Sequence, residues 1–121
     1  MIWGLESVIY DEVMKLADQP ITAVATHIHW DHIGGYKYFP DFYAHEEELG
    51  WLSGGFPLSM ETVRGMVVDR CELPEGYDVG SYEMFQGRPS VALRGGEEID
   101  IGGRMIKVFH TPGHSPGHMC F

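Results

Sequence analysis

Apolar positions near the start of the chain recur at the spacing of one helix face. From Leu5 to Asp18 charged residues fall between the apolar ones, which predicts an amphipathic helix that Pro20 ends. An almost uncharged run rich in β-forming residues, 21–26, follows at once. A helix followed directly by such a run indicates a buried, mostly parallel sheet, so the pattern predicts an α/β (or α+β) fold.

The middle of the chain carries weaker and more mixed signals. The pattern predicts a short aromatic helix over 36–39, a strand over 42–44 and a helix from about Glu46 to Leu52. Residues 53–89 contain several glycines and prolines, and they show helical periodicity only around 60–68. A connection of this length is usually functional or mobile.

The last part of the chain has the clearest strand pattern. Three strand-like runs, 91–94, 97–101 and 104–109, are separated by the pairs Gly95-Gly96 and Gly102-Gly103. Paired glycines supply the positive φ angles that tight hairpin turns need. The sequence therefore predicts two successive hairpins here.

Three histidines and an aspartate lie close together directly after the first predicted strand. In extended backbone, residues two apart point to the same side, so His27 and His29 can direct two imidazoles at one point. Asp31 and His32 fall on the following turn, where they can face the same cavity. Strand ends of α/β sheets are where ligands usually bind, and chance is a poor explanation for four such donors together.

A catalytic zinc ion needs about three protein ligands and one open position, so a third ligand has to come from another part of the chain. The candidate is His114, which follows a Pro-Gly turn beyond the last apolar strand. His118 follows a second Pro-Gly turn. His110 is either an ordinary strand residue or a residue that supports a ligand, and His45 is expected to be a surface or core residue.

The aromatic residues leave two alternatives open. Trp30 is expected to pack beside the site rather than to take part in chemistry. The aromatic residues of the long connection either line a substrate pocket or form a small separate core. These residues are Phe56, Tyr77, Tyr82 and Phe85.

The composition of the chain limits which classes of molecule it is expected to bind. The chain has 121 residues, enough for one domain, and its 18 acidic and 8 basic residues give a formal net charge of −10. Such a surface repels phosphate backbones, which argues against nucleic acid, and for the same reason it disfavours an anionic membrane, so a small-molecule substrate is expected. Cys71 and Cys120 are far apart and predict reduced thiols. With no signal peptide or membrane span visible, a cytoplasmic location is expected, and the oligomeric state stays open.

At these residues the chain resembles the metallo-β-lactamase superfamily. The family motif H-x-H-x-D-H matches residues 27–32 without a substitution, and the element T-P-G-H-[ST]-x-G matches residues 111–117. The glycine-paired run over 95–114 is also similar to the family pattern. The overall likeness is to the glyoxalase II and acyl-coenzyme A thioesterase-like branches.

The resemblance implies a partial αβ/βα sandwich, with a mixed sheet and helices on its outer face. It implies that His27, His29 and His114 bind the first metal ion and that Asp31 and His32 belong to the ligands of a second. Asp31 would also orient or deprotonate the attacking water. His118 and His110 would support the ligands or line the pocket. One or two Zn²⁺ ions are expected, and iron is the other metal that such ligands suit.

The sequence also departs from the family pattern. It lacks the N-terminal strands with their Asp-Thr-Gly-like turn, the aspartate that bridges both metal ions and the last histidine of the second site. We therefore expect residues 1–121 to form a single, truncated metallo-β-lactamase domain. Its first metal site is complete in ligands and its second is not.

Three functional hypotheses follow from these residues. The first is a metallo-hydrolase, in which metal-activated water cleaves a small-molecule ester, thioester, lactone or amide. The second is a mononuclear iron oxygenase of the same fold, similar to the persulfide dioxygenases. The third is an inactive truncated domain that binds a metal ion structurally or not at all.

Overall fold

A parallel sheet of three strands organises the N-terminal part of the described chain. The computed structural model describes residues 8–121 and places β1 (Thr22–Val24), β2 (Asp41–His45) and β3 (Val91–Leu93) in the order β1-β2-β3. Both pairs are parallel, with Tyr43 of the central strand opposite Val24 on one side and Val91 on the other. The parallel sheet that the sequence predicts is confirmed.

Helix α1 (Val8–Leu16) precedes this sheet, and short helical segments follow its first two strands. The one-turn helix α2 (Trp30–Ile33) and a 3-10 turn at Tyr36–Tyr38 come after β1. The helix predicted over 5–18 is therefore confirmed from Val8 to Leu16, and residues 5–7 lie outside the described residues. The short aromatic helix is confirmed as a 3-10 turn.

The helix predicted from about Glu46 to Leu52 is confirmed as a helical segment, although it is not one regular α-helix. The chain forms a 3-10 turn at Glu46–Glu48, stays helical through Leu49 and Gly50, and ends in a distorted π-type turn at Trp51–Gly55. Within the second turn Ser53 is non-helical and Gly54 has a φ of 92°, so the backbone cannot continue as a regular α-helix.

Helix α3 (Met60–Arg70) interrupts the long connection between β2 and β3. Its inner face presents Val63 and Val67, both fully buried, to Trp30 and Tyr82. The helical turns expected around 60–68 are confirmed, and so is the packing role expected for Trp30.

The remaining aromatic residues of the connection divide between core and site. Tyr82 is buried in the cluster around α3, and its hydroxyl donates a hydrogen bond to the Trp30 carbonyl oxygen at 3.3 Å. Phe85 packs edge-on against Phe42 at the sheet. These two residues therefore belong to the core, whereas Phe56 also contacts His29 edge-on.

Two antiparallel pairs complete the described chain. Strand β4 (Glu98–Asp100) pairs with β5 (Met105–Lys107), and β6 (Phe109–His110) pairs with β7 (Met119–Cys120). The mixed α/β architecture is thus confirmed. Buried Leu93, Val108 and Met119 form one cluster, which packs these pairs against the parallel sheet.

The glycine pairs have different roles. The hairpin predicted at Gly102-Gly103 is confirmed, because it joins the paired strands β4 and β5. The hairpin predicted at Gly95-Gly96 is wrong. Because β3 pairs in parallel with β2, the turn at Gly95-Gly96, with φ angles of 96° and 98°, leads the chain away from the sheet toward β4.

Two smaller predictions concern the thiols and the membrane. Cys71 and Cys120 are both free, as predicted. In the described part of the chain, every helix is too short or too polar to cross a bilayer.

The start of α3 offers a test of the fold. Ser59 caps the helix, because its hydroxyl oxygen accepts a hydrogen bond from the Thr62 N–H. We expect Ser59→Ala to lower the free energy of unfolding by about 1 kcal/mol and Ser59→Gly to lower it by only a few tenths, since glycine lets water reach the freed N–H. Urea unfolding of both variants measures the difference. Equal losses in the two variants would contradict the capping role.

Candidate metal centre

The loop after β1 carries the first group of histidines. The Ala25 N–H donates to the Tyr43 carbonyl oxygen, so the sheet ladder extends just beyond β1 before the chain leaves it. Ile28 is completely buried in the core cluster around the sheet. Because Ile28 points into the core, His27 and His29 on either side of it are free to face the site.

The one-turn helix α2 places the next two candidates. Trp30 and Ile33, three residues apart, are buried, so Asp31 and His32 lie on the outer side of the turn. The Asp31 carboxylate Oδ2 lies 3.7 Å from His32 Nε2, with both side chains about half exposed. The turn predicted at these residues is therefore present, in helical form.

The second ligand loop lies between β6 and β7. The Thr111 N–H donates to the His118 carbonyl oxygen at 2.8 Å, which closes the base of the loop. The Met119 N–H donates to the Thr26 carbonyl oxygen at 2.7 Å and so fastens this loop to the one that carries His27. His114 lies at the tip.

The three histidines predicted for the first metal ion converge. His27, His29 and His114 each present one ring nitrogen, and these nitrogens lie within 4.8 Å of one another. The ring centroids are separated by 4.7 Å, 4.8 Å and 4.7 Å, an almost equilateral arrangement. The fold brings His29 and His114 together although they lie 85 residues apart in the chain.

The donor geometry fits a tetrahedral metal ion. His29 Nδ1 lies 3.1 Å from His114 Nε2, and two nitrogens bound to one tetrahedral zinc ion are about 3.3 Å apart. His27 Nε2 is buried and has no hydrogen-bond partner among the described residues. A buried nitrogen lone pair without a partner is costly, and a metal ion would satisfy it.

The other ring nitrogen of His27 is held in place. His27 Nδ1 lies 3.0 Å from the Thr26 hydroxyl, so an Nδ1–H that donates to this oxygen leaves the Nε2 lone pair free for a metal ion. Burial and the four neighbouring imidazoles lower the pKa of His27 to about 4. The imidazole is therefore neutral at pH 7, the form that metal binding requires.

His29 has a more mixed environment. Burial and the neighbouring His114 lower its pKa, while the carboxylates of Asp31 and Glu48 act in the opposite direction. Trp51 stacks on the His29 ring at 5.8 Å between centroids and Phe56 meets it edge-on at 6.2 Å. These two half-buried rings form an aromatic wall beside the metal centre.

The remaining predicted residues surround the three candidate ligands. The His32 ring lies 4.4 Å from that of His27, and the His118 ring lies 5.5 Å from it. His118 Nδ1 is 2.9 Å from the Thr111 hydroxyl. His110 Nε2 lies 2.8 Å from the Pro116 carbonyl oxygen, and its ring stacks on buried His45 at 4.0 Å. The metal role of Asp31 and His32 stays a prediction.

Sequence reasoning missed one residue of the centre, Glu48. The sequence places it in a run of three glutamates that is typical of a solvated helix start, yet its side chain is completely buried. Its Oε2 accepts a hydrogen bond from the Ile28 N–H at 2.8 Å and its Oε1 accepts one from the Gly117 N–H at 3.2 Å. Its place in the sequence could have indicated this role, because Glu48 follows β2 at the same sheet edge as the histidines that follow β1.

Comparison with known families agrees with this geometry. The family model for the metallo-beta-lactamase superfamily matches residues 15–121. The chain belongs to this superfamily. The match includes both histidine-bearing loops, so the resemblance stated from the two motifs is confirmed.

Curated relatives are longer than this chain. The acyl-coenzyme A thioesterase MBLAC2 of Gallus gallus is 36% identical over 103 residues, which is 84% of this chain and 37% of the relative. A hydroxyacylglutathione hydrolase of Synechococcus is 25% identical over 113 residues, which is 93% of this chain and 34% of the relative. The chain thus spans a little over a third of the length of these proteins.

Solved structures support the fold. An archaeal metallo-beta-lactamase superfamily protein from Sulfolobus tokodaii matches with a TM-score of 0.55 at 23% identity, over 87% of this chain and 42% of its own. A metallo-beta-lactamase family protein from Thermus thermophilus matches with a TM-score of 0.52 at 24% identity, over 81% of this chain and 35% of its own. The partial metallo-β-lactamase fold is therefore confirmed.

Proposed function

We propose that this protein is a metal-dependent hydrolase that cleaves a small-molecule thioester or related acyl compound. The observation that carries the proposal is the convergence of three imidazole nitrogens within 4.8 Å, one of them buried without a hydrogen-bond partner in the described chain. The proposal concerns the activity of the whole protein. This chain spans a little over a third of the length of its relatives.

Zn²⁺ is the metal ion that we propose for this centre. Three neutral imidazoles with one open position are a ligand set of catalytic zinc, whereas the mononuclear iron oxygenase alternative calls for two histidines and a carboxylate. In the described part of the chain, the group of close donor atoms consists of three histidines. When bound, zinc supplies hydroxide at neutral pH and polarises the carbonyl group under attack.

The residues of this chain would divide the remaining work. His27, His29 and His114 hold the ion, and Thr26 keeps the His27 lone pair directed at it. Asp31, exposed on the outer side of α2, is proposed to orient the attacking water or accept its proton. His32 is proposed to contribute to a second ion, and His118 and His110 to support the ligands.

The substrate class is proposed from the names of the relatives. One relative is named an acyl-coenzyme A thioesterase and another a hydroxyacylglutathione hydrolase, and both names describe an acyl group carried by a thiol compound. The negative net charge of −10 argues against nucleic acid as the substrate.

Metal removal tests the proposal. We expect purified protein to contain zinc, and we expect chelation to abolish the release of thiol from a short acyl-coenzyme A or acylglutathione substrate. Added Zn²⁺ should restore the activity because it restores the nucleophile. Thiol release measured with a chromogenic disulfide, beside metal analysis of the same samples, checks this. Full activity in metal-free protein would contradict the proposal, and iron with oxygen uptake would favour the oxygenase.

A further inference from the structure

Glu48 is a buried carboxyl group that has no salt bridge to a lysine or arginine among the described residues. Its side chain is completely buried, and the salt bridges that Lys15, Arg64 and Arg94 form are with other carboxylates. Burying an ionised carboxylate costs several kcal/mol unless hydrogen bonds and nearby positive charge compensate it. We therefore expect the hydrogen bonds that this carboxyl group accepts to have a role in the structure or the function.

The two oxygens of Glu48 bond to two different loops. Oε2 accepts from the N–H of Ile28, 20 residues away and directly between His27 and His29. Oε1 accepts from the N–H of Gly117, 69 residues away in the loop that carries His114. One rigid carboxylate thus joins the backbones of both ligand-bearing segments.

The packing around this carboxylate is tight. A Cβ atom added at Gly117 would lie 2.7 Å from Glu48 Cγ and 2.8 Å from His45 Cβ. Only a residue without a side chain brings its N–H this close to the carboxylate. The absence of a side chain at Gly117 therefore allows the hydrogen bond from its N–H to Glu48.

We propose that Glu48 is a positioning residue, whose carboxylate sets the separation of the His27–His29 segment from the His114 loop and so prepares the three nitrogens for a metal ion. The inference rests on the proposed metal centre. Residues that orient ligands in this way typically contribute 10–100-fold to metal affinity.

The test compares Glu48→Gln with Glu47→Gln. Glutamine keeps the shape of Glu48 but turns one acceptor oxygen into an NH₂ group that faces a backbone N–H. Glu47 is an exposed neighbour in the same 3-10 turn, so Glu47→Gln removes the same charge as a matched control. Glu48→Asp keeps the charge but shortens the reach by one methylene.

Metal affinity is the first measurement, with Zn²⁺ in competition with a chromophoric chelator. We expect Glu48→Gln and Glu48→Asp to raise the Kd for Zn²⁺ by about 10–100-fold and Glu47→Gln to leave it unchanged. The visible spectrum of the Co²⁺-loaded variants should change for both substitutions at Glu48, because the ligand geometry changes. A purely structural role would lower stability without altering this spectrum.

Amide hydrogen exchange in metal-free wild-type protein is the second measurement, and it does not depend on how the variants fold. We expect the N–H groups of Ile28 and Gly117 to be protected before any metal ion binds. Fast exchange at either amide, or an unchanged Zn²⁺ affinity in folded Glu48→Gln, overturns the inference while leaving the metal centre intact. Wild-type protein that binds no metal ion overturns both.

Discussion

Replacing His27 by alanine is expected to reduce kcat/KM for thioester cleavage by at least roughly a thousandfold, on the order of 4 kcal/mol of transition-state stabilisation. His27 is the buried member of the three proposed ligands, and its Nε2 has no hydrogen-bond partner within residues 8–121. Its loss leaves two exposed or half-exposed imidazoles, too few for a tetrahedral site with one open position. The proposed nucleophile is then lost together with the ion.

Two substitutions distinguish the role of the proposed ligand His27 from that of Thr26, the residue that orients it. Thr26→Val removes the hydroxyl that lies 3.0 Å from His27 Nδ1 but keeps the shape of the side chain. We expect this variant to lose about 10–100-fold in metal affinity or activity, less than His27→Ala. Metal content and kcat/KM of the two variants, measured with the unfolding of each metal-free protein, check the order. Wild-type metal content in His27→Ala would contradict the ligand role.

The local part of the site was predictable from the sequence. His27 and His29 alternate directly after an apolar strand, and this spacing is sufficient to predict two imidazoles that face one point at the strand end. The short loop after β6 likewise signals His114 through its Pro-Gly turns. Both predictions depend only on backbone geometry over a few residues, which the sequence specifies directly.

The contacts between these segments were not predictable in the same way. Whether the His114 loop meets the His27 segment depends on the parallel pairing of β2 with β3 and on the bond from Met119 to Thr26. The pair Gly95-Gly96 has the composition of a hairpin turn, yet non-local pairing determines its role. Local signals cannot distinguish these outcomes, because the competing strand partner lies far away in the chain.

Glu48 shows the same limit for a single side chain. Three consecutive glutamates favour a solvent-exposed helix start on composition alone. The third is buried only because two backbone N–H groups from distant loops need an acceptor there. A buried acid of this kind becomes visible once the loops that it joins are placed in space.

Gly117 is where we expect the largest effect of a one-methyl change on stability. A Cβ at this position would lie 2.7 Å from Glu48 Cγ, 2.8 Å from His45 Cβ and 3.0 Å from Glu48 Cδ. Both neighbours are buried, Glu48 completely and His45 with 2% exposure, so neither can move aside without displacing other core atoms. We expect Gly117→Ala to lower the free energy of unfolding by about 1–3 kcal/mol through overpacking.

Gly65→Ala is the matched control for this substitution, because the same methyl group should have the opposite effect there. Gly65 lies within helix α3, and a Cβ added to it would meet no atom of the described chain within 4 Å, the helix's own backbone aside. Alanine should therefore raise the free energy of unfolding by about 0.5–1 kcal/mol through its higher helix propensity. Urea unfolding of the metal-free variants measures the change in the free energy of unfolding for each substitution, and the two changes should have opposite signs. Zn²⁺ titration should show weaker binding for Gly117→Ala alone. Only that methyl group displaces the Glu48 carboxylate from its two N–H donors. A Gly117→Ala protein as stable as wild type would mean that the loop shifts freely, and the two ligand segments would then not be held rigidly together.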